Sequence, residues 1–260
     1  MIILFIGDIF GRTGRKIIKE NLYRIKEEYA VDLAIANGEN SAGGVGITKD
    51  IYDDLLSYGI DIITLGNHAW AQKKIFDFID DAESLIRPAN YPPGTPGKPY
   101  TIIEVKNRKV AIINMCGRVF MECIECPFKT IENILLEIEN KADIKILDFH
   151  AEATSEKVAM GWFLDGRITA MFGTHTHIQT GDERILPKGT GYITDVGMTG
   201  PLNSVLGVKK DIIIKKFVTN LPGKFEVEED SGQFNGVILE IDENNIANSI
   251  KRLNLVEFAN

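Results

Sequence analysis

The chain is poor in the residues that would fix its class by themselves. Of 260 residues three are cysteine and four are histidine, there is no excess of basic charge, and long apolar runs are missing. An odd number of cysteines does not make a secreted disulfide framework. Cys123-x-x-Cys126, with Cys116 nearby, has the spacing of a metal or dithiol pair. A zinc site needs a fourth ligand, however, and no histidine is close in sequence. In a reducing cytoplasm the three read as incidental thiols, with a redox-sensing module as the alternative. No apolar run approaches the roughly 18–20 residues of a membrane span. The start, MIILFIGDIFGRTGR, has no basic segment ahead of its apolar residues and reaches Asp8 early, so it reads as a first strand rather than a signal peptide. A cytoplasmic protein is expected. Lys and Arg number 29 against 37 Asp and Glu, a net charge of -8, so no extended nucleic-acid groove is expected. A small phosphorylated ligand is compatible with that charge. There is no G-x-x-x-x-G-K-[ST], the glycines at 43, 44 and 46 lack the third position of G-x-G-x-x-G, and no G-x-S-x-G elbow occurs. P-loop, dinucleotide and serine-hydrolase chemistries are therefore not indicated.

What is present is patterned. Hydrophobic content of 44% with 25% charged residues suits a globular protein, long enough for one large α/β domain or two small ones. Short runs rich in Ile, Val and Phe recur at 2–6, 31–36, 60–65, 109–115, 144–149 and 168–173, each of strand length. Amphipathic stretches lie between several of them, at Arg15–Tyr29, Lys49–Tyr58, Lys73–Ile79 and Ala151–Phe163. The alternating order predicts a mostly parallel sheet with helices on its faces. The segment RPANYPPGTPGKPY, from Arg87 to Tyr100, holds five of the nine prolines and reads as a rigid connector between two halves of one sheet. Beyond residue 180 strands are expected at 183–186, 190–196, 234–241 and 246–256, with a helical piece near 209–219. No internal repeat is seen.

The metal-capable side chains fall at one kind of place. Asp8 follows the first apolar run, Glu39 and Asn40 the second, Asn67 and His68 the third, His150 ends the run IKILDF, and His175 and His177 follow ITAMFG. Each alone is an ordinary strand-end or turn residue. Together they place polar ligands at the carboxyl ends of five strand-like segments, the edge where open α/β sheets bind ligands. All four histidines are among them or beside them. His-x-His after a strand puts two imidazoles on one side if the segment is extended. Gly7, Gly38, Gly66 and Gly173 precede candidate ligands, where a sharp turn off the strand is expected. Carboxylate, carboxamide and imidazole donors suit Mn, Fe or Zn. Seven donors exceed one ion and suit two, about 3.5–4 Å apart. In Gly11-Arg12-Thr13-Gly14-Arg15 the start of a helix and an anion contact at its N-terminus are both open readings.

The phrases GDIFGRTGR, ANGENSAGG, TLGNHAW, RPANYPPGTPG, DFHAEATSEK, GTHTHIQTGDERILP and ITDVGMTGP resemble the YmdB-type family of bacterial calcineurin-like metallophosphoesterases, from the first strand to at least Pro201. The resemblance implies one domain over 1–260 with a four-layer α/β/β/α fold, in place of the doubly wound sheet. It implies that Asp8, Glu39, Asn40, Asn67, His150, His175 and His177 hold two metals, divalent or of mixed valence, iron or manganese first and zinc as the alternative. Glu39 would bridge them, and His68 would stand beside the substrate. It also implies hydrolysis of 2′,3′- and 3′,5′-cyclic nucleotides and a homo-oligomer. Phe10 stands where the wider superfamily has the histidine of D-x-H, and Glu39-Asn40 where it has a second aspartate motif. The segments HAWAQKK and MCGRVFMECIECPF are unusual for the family.

The mechanism expected is attack on phosphorus by a hydroxide bridging the two ions, with His68 protonating the departing sugar oxygen. An imidazole suits that task because its ordinary pKa of about 6.5 is near working pH. The substrate-binding residues are not legible. The rival readings are a phosphomonoesterase with the same metals, and a nucleotide- or RNA-linked regulatory protein of low turnover.

Overall fold

Every apolar strand of this chain has two faces to bury, and the first shows how both are used. In β1 (Ile2–Ile6) Leu4 and Ile6 enter one core while Ile3 and Phe5 enter another. Successive side chains of a strand point to opposite faces, so a strand that is apolar on both must be covered on both. The computed structural model describes residues 1–122 and 124–257. Cys123, and with it the Cys-x-x-Cys spacing, is outside the described residues.

In chain order there follow β2 (Asp8–Ile9), α1 (Gly11–Glu28), β3 (Leu33–Asn37), α2 (Lys49–Ser57), β4 (Ile62–Thr64), a 3₁₀ turn at Lys73–Asp77 and β5 (Leu85–Ile86). Next come β6 (Tyr100–Val105), β7 (Arg108–Cys116), α3 (Pro127–Glu137), β8 (Ile144–His150), α4 (Thr154–Leu164) and β9 (Ala170–Thr174). The remainder is β10 (Arg184–Ile185), β11 (Gly191–Ile193), β12 (Met198–Pro201), α5 (Lys210–Thr219), β13 (Gly232–Ile241) and β14 (Ala247–Glu257).

Two sheets result. One has eight strands in the order β2-β12-β13-β1-β3-β4-β5, with β14 also on β13; the other has six, β10-β11-β9-β8-β7-β6. In the first, β1, β3, β4 and β5 run parallel; in the second, β7, β8, β9 and β11 do. Their inner faces meet through Ile3, Phe5 and Ile35 on one side and Ile112, Ile146 and Phe172 on the other. Ile17, Ile18, Leu22 and Ile25 of α1, with Tyr52 and Leu55 of α2, cover the outer face of the eight-stranded sheet. Ile131, Ile134, Met160 and Leu164 of α3 and α4 cover that of the six-stranded one. Three cores between four layers are an α/β/β/α sandwich, as the resemblance implied. Burying one such side chain is worth roughly 1.5–3 kcal/mol, so the layering is strongly specified.

The structure corrects two local expectations. The proline-rich segment does not join halves of one sheet; it carries the chain from β5 of the first sheet to β6 of the second. It is rigid because the buried Arg87 guanidinium donates to the carbonyls of Pro88, Thr95 and Pro96 at 2.9–3.0 Å. Helix α1 starts four residues before Arg15, with the Gly11 amide donating to the Asn40 carbonyl and Arg15 to the Ser41 carbonyl. Those bonds satisfy the reading of GRTGR as the start of a helix. Segment 202–229, which carries α5, stands apart: none of the residues of α5 is buried, and Phe217 is 80% exposed.

Candidate metal centre

The parallel strands of both sheets end at the same rim, and the polar residues that follow them face each other across the gap between the sheets. The tightest cluster is at Nε2 of the buried His150, the last residue of β8. Asn67 Oδ1, Glu39 Oε1 and His175 Nδ1 each lie 3.0 Å from it. Ligand atoms about 3.0 Å apart form the edge of an octahedron whose metal–ligand bonds are about 2.1 Å. Three of these residues, Glu39, His150 and His175, bring their ligand atoms within 4.8 Å of one another.

A second group adjoins it through Glu39. Asn40 Nδ2 is 3.2 Å from Glu39 Oε1 and 3.2 Å from His177 Nε2, and turning the amide over would present its oxygen to the same point. Asp8 Oδ1 is 4.0 Å from His177 Nε2 and 3.8 Å from His150 Nδ1. This carboxylate oxygen is buried and has no hydrogen-bond partner among the described residues. An unpartnered buried carboxylate oxygen is expensive unless a cation faces it. The donor set, the spacing and this orphan oxygen fit a pair of divalent ions.

The electrostatics agree with a place built for cations. Burial, with Asp195, Glu39 and Asp148 nearby, pushes the Asp8 carboxyl up to about 8 despite the opposing pull of His150. Burial would raise Glu39 too, but the His150 charge and hydrogen bond overcome it and hold Glu39 down at about 2. Against the cost of burial, Glu39 and Asp8 raise His150 to about 9. Burial and the charge of His150 push His175 down to about 3, and burial lowers His177.

Side chains that sequence reasoning missed hold the candidate ligands in place. The Thr174 hydroxyl donates to Asp148 Oδ1 at 2.7 Å and so has a lone pair for His150 Nδ1, 2.9 Å away. That chain assigns the proton to Nδ1 and turns Nε2 toward the cluster. Asp148, fully buried, also accepts from Thr64 at 2.5 Å and Asn37 at 3.0 Å. The pleat was the available signal: Asn37, Thr64, Asp148 and Thr174 fall in phase with the inward apolar residues of β3, β4, β8 and β9. His175 and His177 have φ of 100° and 67°, so the His-x-His segment is left-handed at both histidines and not extended. Such backbone strain persists only where surroundings enforce it. Here the buried Lys157–Asp195 pair, 2.6 Å apart, does so, with Lys157 donating to the Thr174 carbonyl and Asp195 accepting from the Thr176 amide and hydroxyl. His177 Nδ1 is 3.2 Å from the Leu206 carbonyl, and His175 Nε2 is 3.0 Å from Glu152 Oε2.

The glycines before the ligands also work differently from expectation. Gly7, Gly38, Gly66 and Gly173 have no positive φ. They are needed for close approach: a Cβ on Gly66 would collide with Glu39 and His150, and one on Gly173 with the Thr194 carbonyl.

His68 stands outside both groups. Its amide donates to Glu39 Oε2 at 2.9 Å, within a turn over residues 67–70, and its imidazole has no hydrogen-bonding partner among the described residues. The ring lines a cavity of about 280 Å³ with Glu39, Asn40, Glu152, His175, His177 and the apolar Phe10. Phe10 packs edge-on against His177, with ring centroids 5.4 Å apart. Cys116 is a buried free thiol at the end of β7, and burial raises it well above the ordinary thiol range. Cys126 precedes α3, and no helix among the described residues is long and apolar enough to cross a membrane.

The profile of the YmdB-like protein family matches residues 4–253 of this chain. Over 243 residues the chain is 50% identical to a 2′,3′-cyclic-nucleotide 2′-phosphodiesterase of Bacillus subtilis strain 168, covering 94% of this chain and 92% of that one. The crystal structure of a phosphatase from Mycoplasma pneumoniae superposes with a TM-score of 0.94 at 37% identity, over 99% of this chain and 94% of that chain. A 5′-nucleotidase precursor of Thermus thermophilus shares the fold at 12% identity, with a TM-score of 0.56 over 99% of this chain and 54% of that one.

Proposed function

This chain belongs to the YmdB-like protein family, and on that premise we propose that it is a phosphoric ester hydrolase, specifically a dinuclear-metal phosphodiesterase acting on 2′,3′- or 3′,5′-cyclic nucleotides. Residues 1–260 are taken to work as one catalytic unit, assembled as a homo-oligomer. The observation that carries the reading is the shared position of Glu39. Its Oε1 is 3.0 Å from His150 Nε2 in one ligand group and 3.2 Å from Asn40 in the other, so one carboxylate serves both.

Asn67, His150 and His175 would hold one ion with Glu39, and Asp8, Asn40 and His177 the other. Iron or manganese suits these nitrogen and oxygen donors, with zinc as the alternative. When bound, the pair supplies Lewis acidity toward the phosphoryl oxygens and lowers the pKa of a water. The protein's own side chains do the rest. Thr174 and Asp148 keep the proton of His150 on Nδ1 and its Nε2 available. Glu152 and the Leu206 carbonyl do the same for His175 and His177 from outside. His68, half-buried at the cavity with its ring uncommitted, protonates the departing sugar oxygen. Phe10 and Leu206 give the cavity an apolar wall.

The test is elemental analysis of protein purified without chelators, together with steady-state rates on a panel of cyclic nucleotides, model diesters and their monophosphates. Two ions per chain and a strong preference for diesters are expected. One ion in fully active enzyme refutes the dinuclear reading, and equal kcat/KM on a cyclic nucleotide and its monophosphate refutes the diesterase reading.

A further inference from the structure

The cavity over the candidate ligands contains an acidic side chain that is a member of neither ligand group. Glu152 is two residues past His150, just ahead of α4, and its side chain is 48% exposed. Its Oε2 is 3.0 Å from His175 Nε2, and it lines the same cavity as His68. No lysine or arginine is among the described residues that line this cavity. The lysine nearest to it in sequence, Lys157, is buried and spent on Asp195 and the Thr174 carbonyl.

We propose that Glu152 is the specificity-determining residue of this site, a fixed negative charge that admits monoanionic phosphodiesters and rejects dianionic phosphomonoesters. The inference deepens the diesterase reading and rests on it. A cyclic nucleotide carries one negative charge on phosphorus, whereas a monoester near neutral pH approaches two, its second pKa being about 6. Two bound cations attract either anion and favour the dianion, so they cannot supply the preference. A cationic side chain would compensate the extra charge of a monoester, and this cavity offers a carboxylate instead. Like charges several ångströms apart in an effective dielectric of about 20 repel enough to change binding by about tenfold or more. Hydrolysis of a diester converts the monoanion into that dianion, so the same carboxylate expels the product.

The competing account is that Glu152 only orients His175 through its Nε2–H. Glu152→Gln separates the two, because the carboxamide oxygen still accepts that hydrogen while the charge is gone. The experiment uses the metal-loaded full chain at pH 8. It measures kcat/KM for a 2′,3′-cyclic nucleotide and for the corresponding monophosphate, the inhibition constant of inorganic phosphate, and metal content. The expected result is unchanged metal content, a monoester-to-diester ratio raised about tenfold or more, and inorganic phosphate bound about tenfold tighter. Glu152→Ala should change that ratio in the same direction while also weakening metal retention. Equal changes on both substrates with phosphate affinity unmoved would overturn the charge filter and leave Glu152 a positioning residue. The wild-type ratio tests the diesterase reading separately: a wild-type enzyme indifferent to the second charge sinks that reading, whereas a selective wild type whose ratio Glu152→Gln leaves unmoved sinks only this inference.

Discussion

The two halves of the candidate centre are built from similar donors by different means. Around His150, three partner atoms stand 3.0 Å from one nitrogen, and the ring is held from behind by Thr174 and the fully buried Asp148. Around Asp8 the spacings open to 3.2–4.0 Å and one carboxylate oxygen has no partner. The outer tether of His177 is the Leu206 carbonyl, in the 202–229 segment whose helix buries nothing. The first half hangs on the cores of both sheets, whereas the second hangs partly on an outlying loop. Preorganised ligands lose little freedom on binding, so the His150 half should take its ion first and more tightly.

The largest effect should come from the residue the halves share. Glu39→Gln removes the charge that balances two dications and is expected to reduce activity to background, with metal content falling below two per chain. Retention of both ions and of measurable turnover would show that Glu39 does not join the halves. His68 belongs to neither half, and its replacement tests the boundary of the ligand set. His68→Ala should keep both metals and lose about 10²–10⁴ in rate on a cyclic nucleotide. A nitrophenyl diester, whose leaving group departs without a proton, should lose far less. Equal losses on both substrates, or loss of an ion, would give His68 another role.

The candidate ligands could be picked out because each has a recognisable position in the chain. Asp8, Glu39, Asn67, His150 and His175 follow apolar runs of strand length, and the runs locate the sheet rim even though they do not say which sheet each strand joins. That the strands divide between two sheets was not legible from periodicity. Inner and outer faces are equally apolar, and Arg87–Tyr100 reads as a connector whichever sheets it joins; the family phrases supplied the four layers. The supporting shell was harder still. Asp148 sits inside a strand run and Thr174 directly after one, where a lone Asp or Thr resembles an interruption or an end, and only the pleat shows that both point between the sheets. The left-handed backbone at His175 and His177 was hidden as well, because it is imposed by the Lys157–Asp195 pair from distant sequence.

A smaller effect sharpens the contrast between the halves. Thr174→Val keeps the shape of the side chain and removes the hydroxyl that links His150 Nδ1 to Asp148. Losing such an outer hydrogen bond typically costs about 10–100-fold in metal affinity. Calorimetric titration of the metal-free protein should show two binding steps, with the tighter step weakened by that factor and the weaker step unchanged. Asn40→Ala should do the reverse. A single step in the wild type, or both steps moving together in Thr174→Val, would show that the halves are not built separately.

The smallest effect is a pH dependence of thermal stability, and its sign follows from two groups. In the metal-free protein Asp8 is raised from 3.8 to about 8 and His150 from 6.5 to about 9. A group whose folded pKa is raised contributes stability that is present below its unfolded pKa and disappears as pH climbs through the folded one. Both groups therefore make the metal-free fold less stable between pH 7 and 9. The opposing shifts of Glu39 and His175, to about 2 and about 3, act below that window. Metal binding requires the proton to leave each ligand, so affinity rises with pH over the same range. At a hundredfold excess over Kd a ligand adds about 2.7 kcal/mol, or roughly 5–10 °C in Tm for a chain of this size. Each proton displaced shifts the apparent Kd about tenfold per pH unit, which widens the gap between metal-loaded and metal-free Tm by roughly 3–6 °C. Differential scanning calorimetry with and without chelator at pH 7, 8 and 9 measures this gap. A gap that stays constant or narrows as pH rises would mean that neither Asp8 nor His150 gives up a proton to the metal, and would remove both from the ligand set.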